Sequence, residues 1–310
     1  MRPSVTLVVG LSGLAKRDLV AAWRASAPSA VGLLIDQGED VKFPSRASAP
    51  SPAPAPTQFL SGCACCTGSA GLSRALSQLL RQGAASRLII ELNAGAHPAP
   101  FIDLLLAEPL ATQFALEETV ALVEAEHVAA QTPNRLRDWV IEQAEAADRV
   151  ILRSVRHLTP PVRQAHEALL GQWSSFAPVV QWWGPGHAVP TFERLTAGRL
   201  GSAHQMMVAL ARRPPRWRWV WRADPYRMLD RREAIEALAP WTSEARVAVR
   251  AALRTEREWY GLRSAAWAPT VWRGENRIEI EWAAADEAEF APRLTQLAEQ
   301  LERIAKARRR

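Results

Sequence analysis

No run of apolar residues in this chain approaches the roughly 20 that a membrane-spanning helix needs, which argues against a membrane-spanning protein. Cysteine is scarce as well: the 310 residues contain three, at Cys63, Cys65 and Cys66. A secreted disulfide framework would use an even and dispersed set of cysteines. The apolar N-terminal segment is typical of a strand entering a glycine turn and not of a signal peptide, so we expect a cytoplasmic protein.

Lysine is also rare, since 35 of the 38 basic residues are arginine. The net charge of +6 is unevenly placed: residues 1–200 carry 17 basic and 17 acidic groups, and residues 201–310 carry 21 and 15. A basic C-terminal part could face nucleic acid or an acidic partner. An arginine-rich solvated surface would explain the same excess, so charge alone indicates no specific partner.

Short apolar runs alternate with amphipathic segments through the first part of the chain. This alternation predicts an α/β domain over residues 1–190, with a mainly parallel sheet covered by helices on both faces. A segment rich in Pro, Ala and Ser, residues 45–58, predicts a loop. Gly, Pro and Arg-Arg-Pro-Pro in residues 186–214 indicate a boundary, and the remainder predicts a small α+β domain over 205–310.

The first glycine turn has the spacing of a phosphate-binding P-loop. Such a loop holds phosphates with backbone N–H groups and a lysine, and binds Mg²⁺ through a Ser or Thr hydroxyl. Here Ala15 replaces the second glycine of the motif and an arginine replaces the hydroxyl, so an ordinary strand–helix turn is the alternative. The residues expected at a nucleotide site are Gly10, Gly13, Lys16, Arg17 and Asp18.

The three cysteines form a compact Cys-x-Cys-Cys segment. Thiolates bind Zn²⁺ and other soft metals, so one loop could supply two or three ligands. A redox pair is an alternative, but Cys65 and Cys66 are adjacent, and only one residue separates Cys63 from Cys65. Buried, inert thiols are the remaining interpretation.

The glycine–lysine turn, an acidic turn, the Cys-x-Cys-Cys segment and a later Pro-Ala-Pro helix follow one another in an order that resembles the CobW-type P-loop GTPases, a family of metal chaperones. The resemblance covers nearly the whole chain, with residues 205–310 as the small second domain. It implies Cys63, Cys65, Cys66 and Asp36 as metal ligands. It also implies Glu91 beside the nucleotide, as an acid or an organiser of water.

The nucleotide features depart from the family pattern. The guanine-reading motif falls on Arg153-Ser154-Val155-Arg156, where the usual aspartate would accept two hydrogens from guanine and Arg156 can only donate. The Mg²⁺ hydroxyl is missing at Arg17, and Glu124 stands where an aspartate is usual. The resemblance therefore implies a degenerate member in which GTP hydrolysis is weak or absent.

The resulting hypothesis is a metal carrier that delivers its ion to a client protein. Zinc suits two thiolates and a carboxylate, and Co²⁺ or Ni²⁺ would fit similar ligands. Binding of GTP with Mg²⁺ stays open, and His97 is a candidate additional ligand.

Two other classes of function remain. One is a pseudo-GTPase scaffold that has lost nucleotide binding. The other is a nucleic-acid-binding protein that stacks bases on Trp217, Trp219 and Trp221, although packing of these indoles in a core is the simpler interpretation.

Overall fold

The chain divides into two compact units, Met1–Thr196 and Ala197–Arg310. The computed structural model describes residues 2–26, 31–36, 57–60, 68–82, 87–129, 132–173, 179–192, 203–209, 216–263, 266–273, 275–283 and 287–306.

The first unit alternates strands with helices. Its strands are β1 (Ser4–Val9), β2 (Val31–Asp36), β3 (Thr57–Leu60), β4 (Arg87–Glu91), β5 (Ala115–Glu124), β6 (Arg149–Arg153) and β7 (Val179–Trp183). Its helices are α1 (Gly13–Ser26), α2 (Gly68–Gln82), α3 (Pro98–Leu105), α4 (Leu110–Gln113), α5 (Asn134–Glu145) and α6 (Pro160–Trp173). A 3₁₀ turn follows β5 at Ala125–Val128.

These strands form one seven-stranded sheet in the order β3-β2-β4-β1-β5-β6-β7, and every neighbouring pair is parallel. The predicted parallel α/β fold is therefore confirmed. The strand β1 lies between β4 and β5, so the loop that follows it is flanked by the carboxyl ends of both. In such sheets ligands bind outside these ends.

Burial explains why the central strands are apolar runs. Val5, Leu7 and Val8 of β1 have no exposed surface, because strands of a parallel sheet are covered on both faces. Trp23 of α1 is 1% exposed, and its indole N–H donates to Pro190 O at 2.7 Å. The helix that follows the glycine turn is thus firmly packed on the sheet.

A fully buried ion pair joins Arg149 and Glu118 in this unit. The Arg149 guanidinium donates to Glu118 Oε2 at 2.9 Å, and both side chains are at most 4% exposed. It also donates to Gln181 Oε1 and Thr191 O, each at 3.0 Å, and lies 5.7 Å from the Trp23 ring centre. These partners compensate the cost of burying the charge.

The second unit contains β8 (Ala203–Ala209), β9 (Arg216–Ala223), β10 (Met228–Leu229), β11 (Ala248–Arg254), β12 (Trp259–Arg263), β13 (Ala266–Pro269), β14 (Asn276–Ala283) and β15 (Ala305–Lys306), with helices α7 (Arg231–Thr242) and α8 (Glu287–Ile304). Six strands form an antiparallel sheet in the order β13-β12-β11-β14-β9-β8. The strands β10 and β15 pair separately. The predicted C-terminal α+β architecture is confirmed.

Tryptophans of this sheet lie in its core. Trp219, Trp221 and Trp282 are at most 2% exposed and belong to one cluster with residues of α7 and α8, including Trp241 and Phe290. Trp219 and Trp221 cannot stack on bases without dismantling this core. The base-stacking hypothesis therefore loses two of its three indoles, and the side chain of Trp217 lies outside the described residues.

Seven of the described strands lie where no strand was predicted: β10, β12, β13 and β15 in the second unit, and three others. The strand β3 includes the last two residues of the predicted 45–58 loop, β7 follows α6, and β8 falls in the predicted boundary at 186–214. All three are edge strands of their sheets. An edge strand has a single neighbour and less burial, so its sequence need not show the continuous apolar run of a central strand.

The helix that begins at the Pro-Ala-Pro segment is short, and a second helix follows it. The structure ends α3 at Leu105 and begins α4 at Leu110. Pro109 lies between them, and proline has no N–H to continue a helical hydrogen-bond ladder.

None of the described helices is long and apolar enough to cross a bilayer.

We expect Arg149→Ala to destabilise the first unit by about 3–5 kcal/mol, because it leaves the Glu118 carboxylate buried without its partner. Denaturant unfolding followed by tryptophan fluorescence measures this. The matched control is Arg232→Ala, which removes an exposed ion pair with Glu236 and should leave the unfolding midpoint unchanged. Equal midpoints for both variants would contradict this account of Arg149.

Candidate functional site

The carboxyl ends of five adjacent strands bring polar residues to one edge of the sheet. The strand β1 leads into the glycine turn, and its neighbours end in charged side chains. From β2 across to β6, the residues at this edge are Asp36, Glu91, Gly10, Glu124 and Arg153.

The glycine turn requires its first glycine. Gly10 has a φ of 151°, and a Cβ there would lie 2.4 Å from the carbonyl oxygen of Leu122. Only a residue without a side chain can pass so close to β5 in this conformation. Gly13 begins α1, and a Cβ there would meet no atom within 4 Å.

The start of α1 is capped by Ser12. Its hydroxyl oxygen accepts from Ala15 N at 3.3 Å, and its carbonyl oxygen accepts from Lys16 N at 3.1 Å. A side-chain oxygen in this place satisfies one of the otherwise unpaired N–H groups of the first helical turn.

Lys16 is the buried cation of this edge. It is 1% exposed, and its Nζ donates to the carbonyl oxygen of Gly10 at 2.8 Å and to that of Leu92. Burial lowers the pKa of Lys16 to about 8, although the Glu91 and Asp36 carboxylates oppose that change. At neutral pH the amine is therefore still mainly protonated and can attract an anion.

Glu91, at the end of β4, is buried beside Lys16. Burial raises the pKa of its carboxyl group more than the positive charges of Lys16 and Arg17 lower it. Within the described part of the chain its Oε2 is buried and has no hydrogen-bond partner. A buried acceptor of this kind is suited to a proton donor that the described residues do not supply, such as water.

Asp36, at the end of β2, is held by the turn after β4. The side-chain amide of Asn93 donates to Asp36 Oδ2 at 2.6 Å, and the backbone N–H of Asn93 lies 3.4 Å from the same oxygen. Asn93 is itself oriented, because its Oδ1 accepts from Gly95 N at 2.8 Å. The Asp36 carboxylate, 4% exposed, thus has a defined orientation.

His97 is positioned by α5. Its Nδ1 lies 2.7 Å from Glu142 Oε1, and its ring stacks on Trp139 with 5.0 Å between the ring centres. Its side chain is 52% exposed. One ring nitrogen is therefore engaged, and the structure does not bring His97 into a described group of metal ligands.

Arg17 and Asp18 lie on the exposed side of α1. Asp18 Oδ2 accepts from Arg153 at 3.4 Å, and Arg153 also donates to Glu124 Oε1 at 3.1 Å. The guanidinium of Arg153 lies 5.0 Å from the centre of the Trp183 ring. Arg153 therefore links α1, β5 and β7.

The predicted cysteine ligands Cys63, Cys65 and Cys66 lie outside the described residues, as does the turn after Asp36. Among the residues that are described, no group of three His, Cys, Asp or Glu could hold a metal ion. Of the expected metal ligands the structure therefore shows Asp36 alone.

Sequence reasoning did not single out Asn93 or the bridging role of Arg153. The signal for Asn93 was its position: it is a polar residue two positions beyond the end of β4, and ligand-binding residues occur in such turns. The contact of Lys16 with Leu92 O involves a backbone atom, so no sequence pattern could indicate it.

A parallel sheet whose central strand passes through a glycine–lysine turn into a helix defines a P-loop nucleotide-binding fold. Residues 35–178 match the family model of the CobW/HypB/UreG nucleotide-binding domain, in agreement with the resemblance seen in the sequence. The matched segment includes the three cysteines, Asp36 and Glu91, and it begins after the glycine turn.

Several solved structures are similar. The Zn(II)-bound YjiA GTPase from E. coli is 15% identical, with 96% of this chain and 99% of that chain covered and a TM-score of 0.47. HypB from Archaeoglobus fulgidus is 13% identical, with 59% of this chain and 81% of that chain covered and a TM-score of 0.37. HypB from Helicobacter pylori in complex with nickel is 12% identical, with 58% of this chain and 78% of that chain covered and a TM-score of 0.38. No curated protein matches the chain.

The glycine turn offers a matched pair of substitutions. Gly10→Ala should destabilise the fold by about 1–3 kcal/mol, because the new Cβ meets Leu122 O in a conformation that side chains rarely adopt. Gly13→Ala should leave stability nearly unchanged, because the space around it is open. Denaturant unfolding of both variants measures the difference, and equal stabilities would show that Gly10 is not constrained.

Proposed function

We propose that this chain is a CobW-type metallochaperone. A nucleotide phosphate binds at the Gly10–Lys16 loop, and a divalent metal cargo binds at Asp36 with Cys65 and Cys66, to which Cys63 can add a third thiolate. The match of residues 35–178 to the CobW/HypB/UreG family model supports this function. The observation that carries it is the turn at Leu92–Asn93, which contacts both Lys16 and Asp36.

The two expected sites meet through consecutive residues. Lys16 holds the carbonyl of Leu92, and Asn93 holds the carboxylate of Asp36. A phosphate is a stronger acceptor for an ammonium group than a carbonyl is, so it would compete with Leu92 O for Lys16. Movement of that carbonyl would displace the adjacent Asn93, and with it the orientation of Asp36. Nucleotide and metal would thus influence each other's affinity.

The expected metal ligands suit a divalent ion that is intermediate between hard and soft. Two thiolates with one carboxylate form a set that Zn²⁺ accepts, and Co²⁺ or Ni²⁺ accepts related sets. Asn93 would act as the hydrogen-bonding partner that orients the ligating carboxylate. An ion bound by so few ligands can be transferred to a client protein that completes its coordination.

Hydrolysis of the nucleotide should be slow. The Arg17 guanidinium cannot replace the hydroxyl that binds Mg²⁺ in P-loop enzymes, so the residues present do not fit that ion in the usual way. Glu91 is the side chain best placed to organise a water molecule. A pseudo-GTPase scaffold is the second candidate, and the substitutions at Arg17 and Arg156 favour it.

Zinc binding by the full chain tests the proposal, with the affinity measured by competition against a chromogenic chelator. The variant Cys65→Ser, Cys66→Ser should lose tight binding. Asn93→Ala should weaken zinc binding about 10-fold or more, because the Asp36 carboxylate loses its orienting partner. The control Asp138→Asn, on the exposed surface of α5, should bind zinc like the unmodified protein.

Zinc affinity that is unchanged in the cysteine variant would contradict a metal site at this segment. If the unmodified chain binds no zinc, cobalt or nickel, the metallochaperone function is wrong, and the scaffold function becomes the better account.

A further inference from the structure

The part of the cleft where a P-loop protein would read a base is occupied by an internal ion-pair cluster. The Arg153 guanidinium lies between Glu124 Oε1 at 3.1 Å and Asp18 Oδ2 at 3.4 Å, and rests against the Trp183 ring. Arg153 and Glu124 are 21% and 15% exposed. The carboxylates nearest to this strand end are thus already paired with a cation from the same chain.

The turn that follows β6 is also closed on itself. The Ser154 hydroxyl donates to Arg156 O at 2.9 Å and lies 3.1 Å from Arg156 N, which donates to it. Ser154 N donates to Trp183 O at 2.9 Å, and Gly184 approaches so closely that a Cβ there would lie 2.1 Å from Ser154 O. The polar groups of Ser154 are therefore engaged within the turn.

The chemistry of this turn does not match guanine. The Watson–Crick edge of guanine presents N–H donors that need an acceptor such as a carboxylate. Of the two exposed side chains at positions 155 and 156, Val155 is apolar and Arg156 only donates. At the other end of the cleft, the Lys16 ammonium and the N–H groups at the start of α1 are groups that attract phosphate whatever base is attached.

We propose that the site recognises the polyphosphate group and not the base, so that its ligand class is any nucleoside triphosphate or inorganic tripolyphosphate. Arg153 and Arg156 together produce this lack of selectivity, because Arg153 pairs with Asp18 and Glu124 and Arg156 can only donate. The inference rests on the proposed phosphate site at Lys16 and specifies the ligand of that site.

Calorimetric titrations of the full chain with GTP, ATP and sodium tripolyphosphate, each with and without Mg²⁺, test this inference. The three dissociation constants should agree within about threefold, since the base contributes no specific hydrogen bond. A GTP affinity more than about tenfold above that of both other ligands would overturn the inference while leaving the proposed function intact. Absence of binding by all three would overturn the phosphate site and the inference together.

A gain of selectivity provides the second test. Arg156→Asp places an acceptor on the exposed turn and should raise the ratio of GTP to ATP affinity several-fold. The matched control Arg135→Asp makes the same charge change on the exposed surface of α5 and should leave the ratio unchanged. If Arg156→Asp also leaves the ratio unchanged, this turn does not face the base and the inference is wrong.

Discussion

The buried ammonium of Lys16 is the interaction on which the ligand edge depends. It joins the carbonyl oxygens of Gly10 and Leu92, so it ties the loop after β1 to the turn after β4. A buried charge is stable only while its hydrogen bonds are satisfied. Here both acceptors are backbone carbonyls, one in the glycine turn and one in the turn after β4. Any anion that attracts Lys16 must therefore alter what holds these two turns together. The same turn continues into Asn93 and from there to Asp36, the described member of the expected metal ligands.

The order of strands explains why the two sides of this loop differ. The strand β1 lies between β4 and β5, so Glu91 and Asp36 flank the loop on one side and Glu124 and Arg153 flank it on the other. On the first side the acidic residues keep buried carboxylates close to a cation, an arrangement suited to metal and water. On the second side Arg153 pairs with the acids around it, and Arg156 stands where the family pattern has an acceptor aspartate. This asymmetry underlies both proposals: phosphate and metal bind on the first side, and the second side does not select guanine.

Much of this architecture could be predicted from sequence. Central strands such as β1 and β4 are apolar runs because the parallel sheet buries both of their faces, and the glycine–lysine spacing indicated the loop between β1 and α1. The edge strands β3, β7 and β8 were missed because a single neighbour imposes little pattern. The contacts between Lys16 and Leu92 O, and between Arg153 and Asp18, join residues 76 and 135 positions apart. Such contacts follow from tertiary packing, which no local pattern encodes, and the cysteine ligands remain a prediction from sequence.

The central claim is that phosphate and metal are coupled through the Leu92–Asn93 turn. The most direct test is the zinc dissociation constant of the full chain, measured with and without saturating GTP, together with the GTP dissociation constant measured with and without zinc. Coupling through a shared turn predicts that each ligand changes the affinity of the other by the same factor, about fivefold or more. If both ligands bind and neither dissociation constant changes, Lys16 and Asp36 act independently and the account is contradicted.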